Sequence, residues 1–87
     1  INAYPNPFNH NITFQFNKND NSIAKIDIFN ILGKKVKTIN NFSSNPGVQK
    51  IFWDATYDDG REVASGIYIY IFNDNKSSRK GTVNFLK

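Results

Sequence analysis

One histidine and one acidic turn are the places where this chain's residue types could do chemistry. His10 is the single histidine, and there is no cysteine. A hydrolytic nucleophile needs a base beside it, commonly histidine, and a third group that orients the base. His10 sits in a proline- and asparagine-rich opening stretch with no residue spaced to be its partner, so it reads as a solvated loop histidine. The acidic residues gather between Asp54 and Glu62. A calcium loop of the EF-hand kind wants oxygen ligands at positions one, three and five, glycine at six and a bidentate Glu at twelve. Counted from Asp54, position six is Asp59 and position twelve is Ser65, and both requirements fail. The metal arrangement that remains is an irregular cage of Asp54, Asp58 and Glu62. Against it stands a turn whose Asp side chains cap backbone N–H groups. Paired carboxylates for acid–base work would need a cleft around them, which a single turn does not supply. The expectation is a non-enzymatic domain with no catalytic residue, no cofactor and no metal.

What must such a chain be, if not a catalyst? Its 87 residues fit one domain, expected to span residues 1–87. A domain this small buries only about 60–65% of the surface its unfolded chain exposes. Without disulfides the core and its hydrogen-bonded ladders must hold the fold unaided. The aromatic residues, 8 Phe, 4 Tyr and 1 Trp, supply that core. The same demand argues against a glycan-binding face of free Trp and Tyr rings. A net charge of +4 invites a nucleic-acid reading, but acidic residues are interspersed with the basic ones and form no basic stripe. No apolar run approaches the ~20 residues of a membrane-spanning helix. No charged-then-apolar leader precedes Ile1, so any export signal is expected at the start of a larger precursor. The sequons at Asn11, Asn41 and Asn75 are what chance gives in so Asn-rich a chain.

The elements that organise these residues are strands. Ile12, Phe14 and Phe16 alternate with polar neighbours, and Asn17 to Asn21 read as a polar turn. Ala24, Ile26 and Ile28 alternate next, and Gly33 supplies the positive φ of a tight hairpin turn into a strand over Lys34 to Ile39. Asn40 to Gly47 is a turn-rich connection, and Val48 to Trp53 a strand that ends on a large core ring. Asp54 to Glu62 is a polar excursion with a hairpin signal at Asp58-Asp59-Gly60. Ile67 to Phe72 is the most β-prone stretch, Asn73 to Lys76 its turn, and Arg79 to Leu86 the last strand. Pro5 and Pro7 make residues 1–9 an extended opening segment, as a linker from an upstream domain would be. About seven short strands with turns between them predict an all-β fold, a small immunoglobulin-like antiparallel sandwich. Alternation leaves one matter open. Ile67, Ile69 and Ile71 form one face of their strand, Tyr68, Tyr70 and Phe72 the other, and either set could face the core.

Four pieces in this order carry a resemblance: Tyr4-Pro5-Asn6-Pro7-Phe8-Asn9 at the start, Gly33-Lys34-Lys35-Val36, Ser65-Gly66-Ile67-Tyr68, and a closing Lys80-Gly81-Thr82-Val83-Asn84-Phe85-Leu86-Lys87. Together they resemble the C-terminal sorting domains of type IX secretion cargo and the similar immunoglobulin-like domain of flagellar hook-capping proteins. The resemblance implies a non-catalytic module that directs an attached upstream passenger across the outer membrane, through the periplasm of a Gram-negative-type bacterium, to the surface or the medium. Its implied partners are the outer-membrane secretion apparatus and a surface sortase that removes the domain or exchanges it for an anchor. The module itself is expected to be a monomer, with no nucleic acid and no transmembrane segment. Implied recognition residues are Lys80, Lys87, Gly66, Tyr68, Gly33 and Val36, beside the opening motif Tyr4, Pro5, Asn6, Pro7, Phe8 and Asn9. The resemblance also points the aromatic face of the strongest strand inward, with Tyr68 in the place of a tyrosine corner. In hook-capping relatives a glycine follows the Trp-Asp pair, and here Ala55 replaces it. The alternative function is a structural spacer or assembly domain of a hook-capping or multidomain surface protein. A chain ending naturally at Lys87 is what the sorting reading expects.

Overall fold

Alternating apolar side chains become strands where a neighbouring strand can pair with them. The computed structural model describes residues 1–18, 20, 22–43, 45–74 and 76–87. Among these residues it has seven strands: β1 (Asn2–Tyr4), β2 (Ile12–Lys18), β3 (Ala24–Asn30), β4 (Lys35–Asn41), β5 (Gly47–Trp53), β6 (Gly66–Asn73) and β7 (Ser78–Phe85). They form two antiparallel sheets, one ordered β1-β2-β5 and the other β4-β3-β6-β7. The chain crosses between sheets from β2 to β3, from β4 to β5 and from β5 to β6, which closes a small immunoglobulin-like sandwich.

Between the sheets, aromatic rings from β2 meet rings from β6. Phe14 lies 5.0 Å from Tyr70 and Phe16 lies 4.8 Å from Phe72, centroid to centroid and tilted. Tilted pairs of this kind contribute about 0.5–1.5 kcal/mol each beyond the area they bury. Trp53, at the end of β5, is fully buried and meets Tyr68 edge-on at 5.4 Å. The open question about β6 is thereby answered. Tyr68, Tyr70 and Phe72 face inward and are buried, while Ile67 is 52% exposed and Ile69 and Ile71 stand half-buried on the outer face.

Several boundaries differ from the sequence reading, each for a physical reason. Asn17 and Lys18, expected in a turn, continue β2 and pair with Val48 and Gly47. Lys18 falls on the inward parity set by Phe14 and Phe16. It is buried, and its ammonium reaches the end of the sandwich to donate to the Ser43 carbonyl. A long aliphatic stem allows this, because it can lie along the core while its charged head finds an acceptor. Asn19 and Asn21 of that expected turn lie outside the described residues, as do Ser44 in the β4–β5 connection and Asn75 in the β6–β7 turn and its sequon. β4 runs from Lys35 to Asn41, two residues past its expected end at Ile39. Residues 1–9 are more than an approach to the domain: Asn2, Ala3 and Tyr4 pair with Gln15, Phe14 and Thr13, and Phe8 is buried in the core. The excursion after Trp53 is polar only in part, since Ala55 and Val63 are both buried beneath it.

Candidate functional site

The candidate chemical residues disperse. His10 is exposed in the loop before β2. Asp54 accepts from the Thr56 hydroxyl at 2.5 Å, and Asp58 accepts from the Thr38 N–H at 3.4 Å. Asp59 accepts from the Arg61 N–H at 3.0 Å and from its guanidinium at 2.7 Å. These two contacts, the N–H first, hold the Asp59 carboxyl below the usual range. Glu62 turns away to pair with Lys87 at 2.8 Å. Among the described residues, no three His, Cys, Asp or Glu side chains gather into a metal-ligand set. The turn itself is a small hairpin closed by Tyr57 N–H to Arg61 O at 2.8 Å and Gly60 N–H to Tyr57 O at 3.0 Å.

Ala55, where the resemblance to hook-capping proteins leads one to expect glycine, has φ of +60°. An L-residue there costs roughly 1–2 kcal/mol. The conformation survives because it is locked on several sides: the Ala55 carbonyl accepts from Val63 N–H at 2.9 Å, and the Trp53 indole N–H donates to the Thr56 carbonyl at 3.0 Å. The alanine methyl is itself buried, which offsets part of the backbone cost.

The opening motif and the last strand, more than seventy residues apart in sequence, form one structure. The peptide bonds preceding Pro5 and Pro7 are cis. Between the two prolines, the Asn6 side chain stands in for a strand: its Oδ1 accepts from Asn84 N–H at 2.9 Å and its Nδ2 donates to the Thr82 carbonyl at 3.3 Å. Phe8 continues the pairing in parallel sense, with its N–H donating to the Asn84 carbonyl at 2.9 Å and its carbonyl accepting from Leu86 N–H at 2.8 Å. The Phe8 ring packs on Phe85 at 5.1 Å and Trp53 at 5.7 Å. The motif therefore covers the outer edge of β7 from Thr82 onward. Pro5, Pro7 and Asn9 are exposed beside it, and the Tyr4 hydroxyl donates to the Gln15 side chain at 2.7 Å.

The remaining residues of the four-piece pattern fall at separate places. Gly33 takes φ of +86° in the β3–β4 turn, where its N–H donates to the Asn30 carbonyl at 2.9 Å, and Val36 is buried at the start of β4. A residue with a Cβ would resist that left-handed conformation, so glycine here sets the hairpin. Gly66 begins β6, and two residues on the Tyr68 hydroxyl donates to the Ala64 carbonyl at 2.5 Å, the bond of a tyrosine corner. Burial pushes the Tyr68 phenol above its ordinary pKa, with the nearby Tyr57 adding to the effect. Lys80 is exposed opposite Ile71. Lys87 lies past the end of β7, with its N–H on the Ser65 hydroxyl at 3.0 Å. Seven residues of extended chain set the two lysines roughly 20 Å apart along the strand, too far for one contact point.

The profile of the secretion system C-terminal sorting domain family matches residues 2–84. This chain belongs to that family. Membership makes it a sorting domain of type IX secretion, a module that carries an attached passenger to the cell surface or the medium, and one recognised by the secretion machinery. A comparison with curated proteins finds no match. Among solved structures, the sorting domain is similar to part of dimeric latent PorU from Porphyromonas gingivalis, with a TM-score of 0.75 and 22% identity over 98% of this chain and 9% of that one. It is also similar to FlgD of Xanthomonas campestris, a protein linked to the hook capping essential for flagellar assembly, with a TM-score of 0.70 and 18% identity over 94% of this chain and 59% of that one. PorZ, a surface component of the type IX system of Porphyromonas gingivalis, gives a TM-score of 0.68 and 21% identity over 99% of this chain and 11% of that one. At such identities the likeness is one of fold, and the sorting domain spans a small part of PorU and PorZ and just over half of FlgD. No helix among the described residues is long and apolar enough to cross a membrane.

Two features of the site escaped the sequence reading. That Asn6 would bond to the last strand is invisible in a six-residue turn motif. That Gly81 lies under a tyrosine ring was signalled only by a glycine inside a strand, which often marks a close approach.

Proposed function

We propose that the sorting domain works entirely by presenting a folded surface, without chemistry of its own, and that residues 1–87 act as one monomeric unit behind an upstream passenger. The observation that carries this reading is the joining of the opening motif to β7. The segment that would arrive from a passenger is bonded to the strand that closes the domain, so the recognised end and the attachment point form one rigid corner. Tyr4, Pro5, Asn6, Pro7, Phe8 and Asn9 serve that corner. Gly33, Val36, Gly66 and Tyr68 hold the hairpin and the tyrosine corner in shape, and Lys80 and Lys87 present charge to the apparatus at two separate points. A surface sortase that removes the domain, or exchanges it for an anchor, would act on the chain ahead of this corner. The fold shared with FlgD keeps a structural spacer or assembly role as the second reading.

Replacing Lys80 and Lys87 with Gln tests the assignment. Lys87 forms a salt bridge exposed on both sides, and such pairs contribute about 0–1 kcal/mol. The doubly substituted domain should therefore melt close to the parent, yet deliver a fused reporter to the surface less well in a host with type IX secretion. Undiminished delivery removes these lysines from the signal. A native domain that delivers no reporter favours the spacer reading.

A further inference from the structure

The outer face of the β4-β3-β6-β7 sheet is apolar where a solvent-facing sheet is usually polar. Along β6 the outward residues are Ile67, Ile69 and Ile71, and Phe29 of β3 is the cross-strand neighbour of Ile69. The chain then turns through Ile31 and Leu32, which are 70% and 89% exposed. Asn30 pairs with Tyr68, so this turn lies at the Ile67 end of the same face. Turn residues with such side chains bury nothing in the domain's own core and extend the apolar line to its rim. The other sheet has no equivalent, because on its outer face Lys50 separates the exposed Val48 and Phe52.

The rim is cationic. Lys80 is the cross-strand partner of Ile71, and Lys35 is that of Phe29, with its ammonium 5.9 Å from the ring centroid. Lys25 and Lys35 flank Asp27 at 3.6 Å and 3.3 Å, and Thr38 donates to the same carboxylate at 2.6 Å. Three lysines against one aspartate leave this face at +2 (Lys25, Lys35 and Lys80 less Asp27). Resting on the sorting function above, we propose that this face is the docking surface for the export apparatus, and that its occupant is a protein surface apolar at the centre and edged by carboxylates. Charge complementarity selects that occupant. A second copy paired about a two-fold axis would bring the lysine rim against itself. An anionic membrane is held by clusters of about 4–8 basic residues, more than this face carries. Lys80 thus acquires a physical role, as the rim charge beside Ile71.

The test fuses a reporter to the native chain, to Ile67→Gln/Ile69→Gln, to Leu32→Ser and to Lys35→Glu/Lys80→Glu in a bacterium with type IX secretion. Delivery by the native chain establishes the sorting function independently, and its failure would refute that function instead of the docking face. Each folded variant is expected to lose delivery by about tenfold or more, as truncated anchors at an interface centre do. Native-level delivery by the isoleucine pair overturns the proposal. Should that pair unfold, Leu32→Ser decides alone, since so exposed a side chain has no core to disturb, and full delivery by it overturns the proposal equally. Purified native chain is also mixed with phosphatidylglycerol vesicles and sedimented alone. Co-pelleting or dimerisation that the same substitutions abolish would overturn the protein occupant in favour of lipid or a second copy.

Discussion

Asn6→Ala separates the two ends of this domain without touching its core. The Asn6 amide makes one bond of good length, accepting from Asn84 N–H at 2.9 Å, and one longer bond, donating to the Thr82 carbonyl at 3.3 Å. A net intramolecular hydrogen bond is worth about 0.5–1.5 kcal/mol. Both bonds are at an exposed edge where water can replace the lost partner, so the low end applies and the pair should contribute about 1–1.5 kcal/mol. For a domain of this size each kcal/mol moves the melting temperature by about 4–8 °C. A fall of roughly 4–12 °C is expected by calorimetry. Native-state amide exchange gives the sharper readout. The Asn84 amide should lose protection in Asn6→Ala, while Leu86, bonded to the Phe8 carbonyl, keeps most of its own. Asn6→Asp should lie between, since it keeps the 2.9 Å acceptor and loses the donor. An Asn84 amide equally protected in Asn6→Ala and in the parent would show that the asparagine does not hold the edge, and the argument for a joined corner would fail with it.

Other consequences are as direct. Trp53→Ala empties a fully buried site that touches Phe8 and Tyr68 and should cost about 3–5 kcal/mol; an unchanged denaturation midpoint would refute the packing. Gly81→Ala would bring a Cβ within 2.5 Å of the Tyr70 hydroxyl oxygen and 2.6 Å of its ring. Tyr70 is held against Phe14 and cannot easily swing away, so the expected loss is about 1–3 kcal/mol. Tyr70→Leu in the same chain should return part of that loss, and a more stable single Gly81→Ala variant would contradict it. Acid should weaken the fold. The Ser22 hydroxyl and N–H, with Lys76, hold Asp20 down at about 2. Burial pushes Asp27 up, but Thr38, Lys35 and Lys25 together outweigh it and leave it lowered. Asp74 is lowered chiefly by the Lys76 N–H. A carboxylate whose folded pKa lies below the unfolded value stabilises above the unfolded pKa, near 4, and loses that contribution as pH falls through the folded one. The melting temperature should be level down to about pH 4 and decline toward pH 2, and a level profile through pH 2 would refute the contribution.

The local pattern of residues determined six of the seven strands and most of the turns, because period-two alternation and turn chemistry act within a few residues. Phe14 and Phe16 alternate with polar neighbours, so their inward direction was legible, and Gly33 could be read as a positive-φ turn residue from its position alone. β6 was not legible in this way. With Ile on one side and aromatics on the other, its two faces are equally apolar, and only the sheet opposite decided between them: Phe14 and Phe16 offer ring partners at the spacing of Tyr70 and Phe72. Nor could alternation place Asn2–Tyr4 as a strand, since three residues with one alanine carry no periodic signal, and it is the open edge of β2 that recruits them. The bond from Asn6 to Asn84, and the partners that Asp58 finds in Thr38 and Glu62 finds in Lys87, depend on contacts across the chain. Sequence thus set what each segment could become. The closing of two sheets on one core decided which faces stay outside, because burial is shared between segments and no segment settles it alone.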